Sequence, residues 1–189
     1  MAVTGFSHVA YRCLNARETV DFYTNLLGLK YTFAVSANRV ASTNEYSPHI
    51  HIFLEVSPGS YLAFFELAEA GEFKFDEGTP RWVQHIAMSV SSVEEVHEYK
   101  KKLEGAGVPV LGVTDHGIFQ SIYFFDPSGH RLEITCETMS AETRRDLRAI
   151  SEDFLNDWDR TKRAPEIGAH RAHVVSAGDR HAEAGPVEV

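Results

Sequence analysis

The same order of elements is written twice between Phe6 and Cys136, and this repeat narrows the choice of fold more than any other feature of the chain. Phe6 to Arg12 reads as a strand. Asn15 stands before Ala16-Arg17-Glu18 and can cap a helix running to about Leu27, which Gly28 stops. Strands are expected at Lys30 to Val35, His49 to Val56 and Tyr61 to Leu67, the last two joined by the Pro58-Gly59 turn. The order then returns. A strand is expected from Trp82 to Val90, then a helix capped by Ser91 or Ser92, with Glu94 and Glu95 in its first turn, ending at Gly105-Ala106-Gly107. A short strand follows around Pro109 to Val113. Phe119 to Phe125 and Arg131 to Cys136 then form a hairpin across Asp126-Pro127-Ser128-Gly129. Each half reads βαβββ, and Phe6-Ser7-His8-Val9-Ala10 in the first matches Val83-Gln84-His85-Ile86-Ala87 in the second.

The repeat predicts an α+β domain over residues 1–139, built from two paired modules at about 5–70 and 80–138. Beyond Met139 the character changes. Ala141 to about Arg160 carries Leu147, Ile150, Phe154, Leu155 and Trp158 at helical spacing, so a C-terminal helix is expected over 140–160. The modules already supply a core, so this stripe needs another surface, and a homo-oligomer is expected. Thr161 to Val189 is rich in Ala, Gly, His and charge, the composition of a flexible tail.

Composition removes several classes of function. The formal charge of −9 disfavours sequence-independent nucleic-acid binding and attachment to anionic membranes. No apolar run approaches the roughly 20 residues of a membrane span, and no export signal is expected. The two cysteines, Cys13 and Cys136, make no disulfide framework, so a cytoplasmic location is expected.

The repeat also distributes metal-capable side chains. The first strand of each half holds a histidine, His8 and His85, and the last strand holds a glutamate, Glu66 and Glu133. The wider spacing of the first pair fits a longer loop at Ser36 to Pro48. A lone strand histidine is more often an interior side chain than a ligand. Four such residues in two copies carry more weight. Glu66 and Glu133 both lie among apolar neighbours, where an unpaired carboxylate is costly to bury. If the copies pair about a pseudo-twofold axis, all four side chains converge. Two imidazoles and one carboxylate make a facial triad with open positions, suited to Fe(II); a fourth protein ligand favours hydrolytic or isomerase chemistry.

On these residues the chain resembles the vicinal-oxygen-chelate superfamily of glyoxalases, bleomycin-resistance proteins and dioxygenases, over about residues 5 to 138. Thr114-Asp115-His116, then Ile122-Tyr123-Phe124-Phe125-Asp126-Pro127-Ser128-Gly129, then Glu133 resembles the signature of one-domain type I extradiol ring-cleavage dioxygenases of the 2,3-dihydroxybiphenyl 1,2-dioxygenase kind. The resemblance implies a glyoxalase-like barrel, with Fe(II) on His8, His85 and Glu133. It also implies His116 and Tyr123 as catalytic residues acting on a catechol and O2. Glu66 sits where glyoxalase I has its fourth ligand, so a lactoylglutathione lyase using a divalent metal is the second reading. The larger extradiol enzymes have a further histidine where this chain reads Gly59-Ser60-Tyr61-Leu62. The sequence leaves open whether His49 or His51 lines the site instead.

Overall fold

In the computed structural model the described residues are 2–69 and 71–163. The tail expected at 161–189 therefore lies almost wholly outside them. The element order is β1 (His8–Arg12), α1 (Ala16–Asn25), β2 (Lys30–Arg39), β3 (Tyr46–Ser57), β4 (Ser60–Leu67), β5 (Ile86–Ser89), α2 (Val93–Gly105), β6 (Leu111–Asp115), β7 (Phe119–Phe125), β8 (Arg131–Glu137), α3 (Ala141–Ala149) and α4 (Ser151–Thr161). The twofold βαβββ repeat holds. Strand β5 is shorter than the span expected from Trp82, because Arg81 to Val83 forms a turn and the ladder begins only at Ile86.

Two four-stranded mixed sheets result, ordered β1-β4-β3-β2 and β5-β8-β7-β6. In each, the first strand runs parallel to the last and the remaining pairs are antiparallel. Local chemistry fixes the helices between them. Asn15 Oδ1 accepts from Glu18 N at 3.0 Å, and Ser92 Oγ accepts from Glu95 N at 3.2 Å. Glu95 returns a bond from Ser91 N at 2.6 Å, which closes the second cap. Gly28, at φ 75°, lets the chain leave α1 in the left-handed region that side chains disfavour.

One face of each sheet packs on its helix, and the two packed faces share one core. Leu54, Leu62 and Phe64 of the first sheet and Ile122, Phe124 and Leu132 of the second are almost fully buried, in one cluster with Tyr23 of α1 and Val96 and Leu103 of α2. Each such large apolar side chain stabilises the fold by about 1.5–3 kcal/mol on burial. The Asp126–Gly129 turn locks the modules together. Asp126 Oδ2 accepts from Tyr23 OH at 3.0 Å, and Oδ1 from Ser128 N and His130 N at 2.9 Å. Ser128 Oγ accepts from Leu14 N at 3.0 Å, and His130 Nε2 bonds Arg12 O at 2.7 Å. Burial pushes the Asp126 carboxyl up from its usual range, and burial together with Asp126 pushes the Tyr23 phenol well up.

With the helix-bearing faces turned inward, the opposite faces of both sheets look outward. The single C-terminal helix expected from periodicity is two helices hinged at Ile150, which ends α3 and begins α4. Neither has a buried residue, and Leu155 and Trp158 are exposed. Among the described residues no helix is long and apolar enough to cross a membrane.

Candidate metal centre

Register decides which side chains share the outer faces. In the second sheet Ala87 pairs with Glu133 and Glu133 with Tyr123, so Glu133 and Tyr123 project from the same side. His85 lies two residues before Ala87. Its Nε2 stands 2.9 Å from Glu133 Oε2, and its Nδ1 lies 3.1 Å from Val83 O. A carbonyl only accepts, so the Nδ1 contact takes a ring proton, and Nε2 is the ring atom turned to the carboxylate. The Glu133 side chain is only 8% exposed. A buried carboxylate 2.9 Å from an imidazole nitrogen shares a proton in the absence of metal, and the same two atoms are a nitrogen and an oxygen ligand that fit a divalent cation.

Tyr123 and His116 extend the same cluster. Tyr123 OH lies 3.3 Å from Glu133 Oε1, to which it donates, and 2.8 Å from His116 Nε2. His116 belongs to an Asp-His-Gly turn, held by a 2.7 Å bond from Gly117 N to Asp115 Oδ1, yet its ring points back at β7. Burial, reinforced by the Glu133 charge, pushes the Tyr123 phenol up to about 12. Tyr123 therefore keeps its proton and remains a hydrogen-bond donor at neutral pH. Arg131 lies over the Tyr123 ring at 4.1 Å. Sequence reasoning missed Arg131, although its place two residues before Glu133 puts it on the same face of β8.

The first module holds the other expected residues, away from this cluster. His8 is exposed beside Ser7 Oγ at 3.1 Å, with the His51 and Phe53 rings at 6.1 Å and 5.6 Å. His49 and His51 both sit on this outer face, since they pair with Leu67 and Phe65 while Ala10 pairs with Ala63. His51 stacks on Phe65 at 3.6 Å, and its buried Nε2 has no hydrogen-bond partner among the described residues. Glu66 points the other way. It pairs with Ile50 on the helix-bearing face, and its Oε2 accepts from Ala16 N at 2.6 Å, at the start of α1. Among the described residues no three His, Cys, Asp or Glu side chains converge on one point. The structure thus joins His85, Glu133, Tyr123 and His116, and brings neither His8 nor Glu66 to them.

Paired βαβββ modules with a histidine–glutamate pair on an outer sheet face define a glyoxalase-like α+β protein. The chain belongs to the Glyoxalase/Bleomycin resistance protein/Dioxygenase superfamily, whose family model matches residues 5–134. Members of this superfamily bind divalent metals. MhqA of Bacillus subtilis, to which ring-cleaving dioxygenase activity is ascribed, is 29% identical over 72% of this chain; the chain spans only 42% of its length. The metallothiol transferase FosB of Bacillus licheniformis is 25% identical over 95% of this chain and 96% of its own. Among solved structures, the trypanothione-dependent glyoxalase I of Leishmania major superposes with a TM-score of 0.58 at 19% identity, covering 80% of this chain and 98% of that one, a likeness of fold.

Proposed function

We propose that this protein is an Fe(II)-dependent extradiol dioxygenase that opens the ring of catechols with O2. The observation that carries the reading is the continuous chain of contacts from His85 through Glu133 and Tyr123 to His116. A catechol must shed protons to chelate a metal through both oxygens. His85 Nε2 and Glu133 would hold the metal, which would supply Lewis acidity and a redox centre for O2. Tyr123 OH, kept protonated by its surroundings, donates to an oxygen beside the carboxylate. His116 Nε2, within hydrogen-bond reach of that hydroxyl, takes or returns a proton at the far end of the pair.

Two ligands from one chain leave the triad short. His8 faces outward on the first module, and among the described residues no third His, Cys, Asp or Glu side chain converges on His85 and Glu133 in the second. In this reading His8 of a second copy completes the triad, and the protein works as a homo-oligomer. Glu66, engaged with the start of α1, counts against a four-ligand glyoxalase site.

The test is oxygen uptake and a yellow ring-opened product from anaerobically prepared, iron-loaded protein given one- and two-ring catechols, including 2,3-dihydroxybiphenyl. Turnover of a glutathione hemithioacetal with no oxygen uptake on any catechol would replace this reading with the lyase.

A further inference from the structure

A cavity of about 300 Å³ opens where the segment between the modules passes the end of β1 and the start of β8. Its charge opposes that of the chain. The protein carries a formal −9, yet Arg12, Lys74, Arg81 and Arg131 line this one space. The acid beside them, Asp76, is engaged with Gly78 N at 2.9 Å and with the Thr79 hydroxyl. Lys74 has Glu72 at 3.2 Å. Among the described residues, none of the three arginines forms a close ion pair, although the Glu133 charge on the same face of β8 acts on Arg131.

Aromatic rings hold the guanidinium groups instead. Arg12 lies 5.1 Å over Phe73, and Arg81 lies 4.8 Å over Phe125 and 5.9 Å over Phe75. Arg12 donates to Gly71 O at 2.8 Å and Arg131 to Trp82 O at 2.6 Å, while the buried Nε of Arg12 has no partner among the described residues. Contact with a ring face leaves the planar donor edge of a guanidinium available. Three like charges around one small space repel one another, and an anion bound among them removes that cost. His85 lines the same cavity while its Nε2 faces Glu133. His85 is thus the residue that the cavity shares with the pair, and a ligand long enough to pass it reaches the arginines.

We propose that this cavity is a carboxylate subsite, and that the substrate is a catechol bearing a carboxylate on a short side chain. The catechol half rests on the ring-cleavage reading above; the carboxylate half rests on the arginines alone. Arg81, with Arg12 and Arg131 beside it, takes the carboxylate, whose two oxygens match a guanidinium fork. Phe73, Phe75 and Phe125 cover the apolar arm. Their rings favour an aryl acid over inorganic phosphate, and a volume near the lower limit of small-molecule sites, about 300 Å³, favours a one-ring ligand.

Binding to the full-length protein, followed by calorimetry, separates the two halves. Phenylacetate should bind at least about tenfold more tightly than its neutral analogue 2-phenylethanol, with affinity falling as salt rises. Arg81→Gln, at an exposed residue whose side chain makes no hydrogen bond among the described residues, should remove about tenfold of the phenylacetate affinity. Equal affinity for acid and alcohol, or full affinity in Arg81→Gln, overturns the subsite. Inorganic phosphate or glutathione binding more tightly than phenylacetate overturns the aryl-acid assignment. On the iron-loaded enzyme, kcat/KM should favour 3,4-dihydroxyphenylacetate over 4-ethylcatechol, and Arg81→Gln should erase that preference. Phenylacetate binding without oxygen uptake on either catechol would remove the ring-cleavage reading and leave the carboxylate subsite standing.

Discussion

Ala63 occupies in the first module the place that Glu133 occupies in the second. Val9 pairs with Leu62 and Ala10 with Ala63, just as Ile86 pairs with Leu132 and Ala87 with Glu133. His8 and His85 precede these pairs by the same step. Glu66 lies three residues beyond Ala63, and an odd offset on a strand reverses the face. The two glutamates that look equivalent in sequence are therefore not equivalent in space, and one module contributes a histidine where the other contributes a histidine and a carboxylate.

Glu66→Gln should leave metal content unchanged and weaken the fold. The lost charge at the α1 N-terminus should cost about 0.5–2 kcal/mol, read as a lower urea midpoint at unchanged m-value. Metal loss as complete as that of Glu133→Gln would return Glu66 to the ligand set.

If two copies share the proposed site, a complementation experiment is decisive. Anaerobic protein should hold about one iron per chain, and His8→Ala, His85→Ala and Glu133→Gln should each lose it. Co-assembled His8→Ala and Glu133→Gln chains should regain metal and activity, because one of the two sites in a mixed pair then carries neither change. A site built within one chain would give no recovery.

Tyr123→Phe and His116→Ala should keep near-normal iron, because the proposed ligands are untouched. Both should lose catechol turnover by about 10²- to 10⁴-fold if proton transfer is the contribution removed, mainly in kcat. Wild-type rates in both variants would leave Tyr123 and His116 without a part in proton transfer.

His51 gives the fold a dependence on pH. Burial first, then His8 and His49, lower its ring below the ordinary 6.5. The unfolded chain therefore takes up this proton at a higher pH than the folded one. Its contribution to stability is present above 6.5 and is lost as pH falls through that value towards the lowered one. In metal-free protein, His51→Phe should preserve the ring stack on Phe65 and flatten the fall in urea midpoint across that window. An NMR titration placing His51 above 6.5 would contradict this dependence.

The sequence by itself determined the twofold βαβββ order, the cap at Asn15, a second cap at Ser91 or Ser92, and the strands that carry His8, His85, Glu66 and Glu133. These are matters of local periodicity and turn chemistry, which neighbouring residues settle among themselves. It also marked the Asp126-Pro127-Ser128-Gly129 turn, though as a hairpin connection. Only the tertiary structure made that turn the joint between modules, since its partners Tyr23, Leu14 and Arg12 lie more than a hundred residues away in the chain. Tertiary structure also decided the faces. Pairing register sends Glu66 inward to α1 and Glu133 outward to His85, and the shared core turns the His8 face away from the Glu133 cluster. The arginine cavity was hidden for the same reason: Arg12, Arg81 and Arg131 belong to separate elements, and only the packing of one module on the other gathers their charges around a common space.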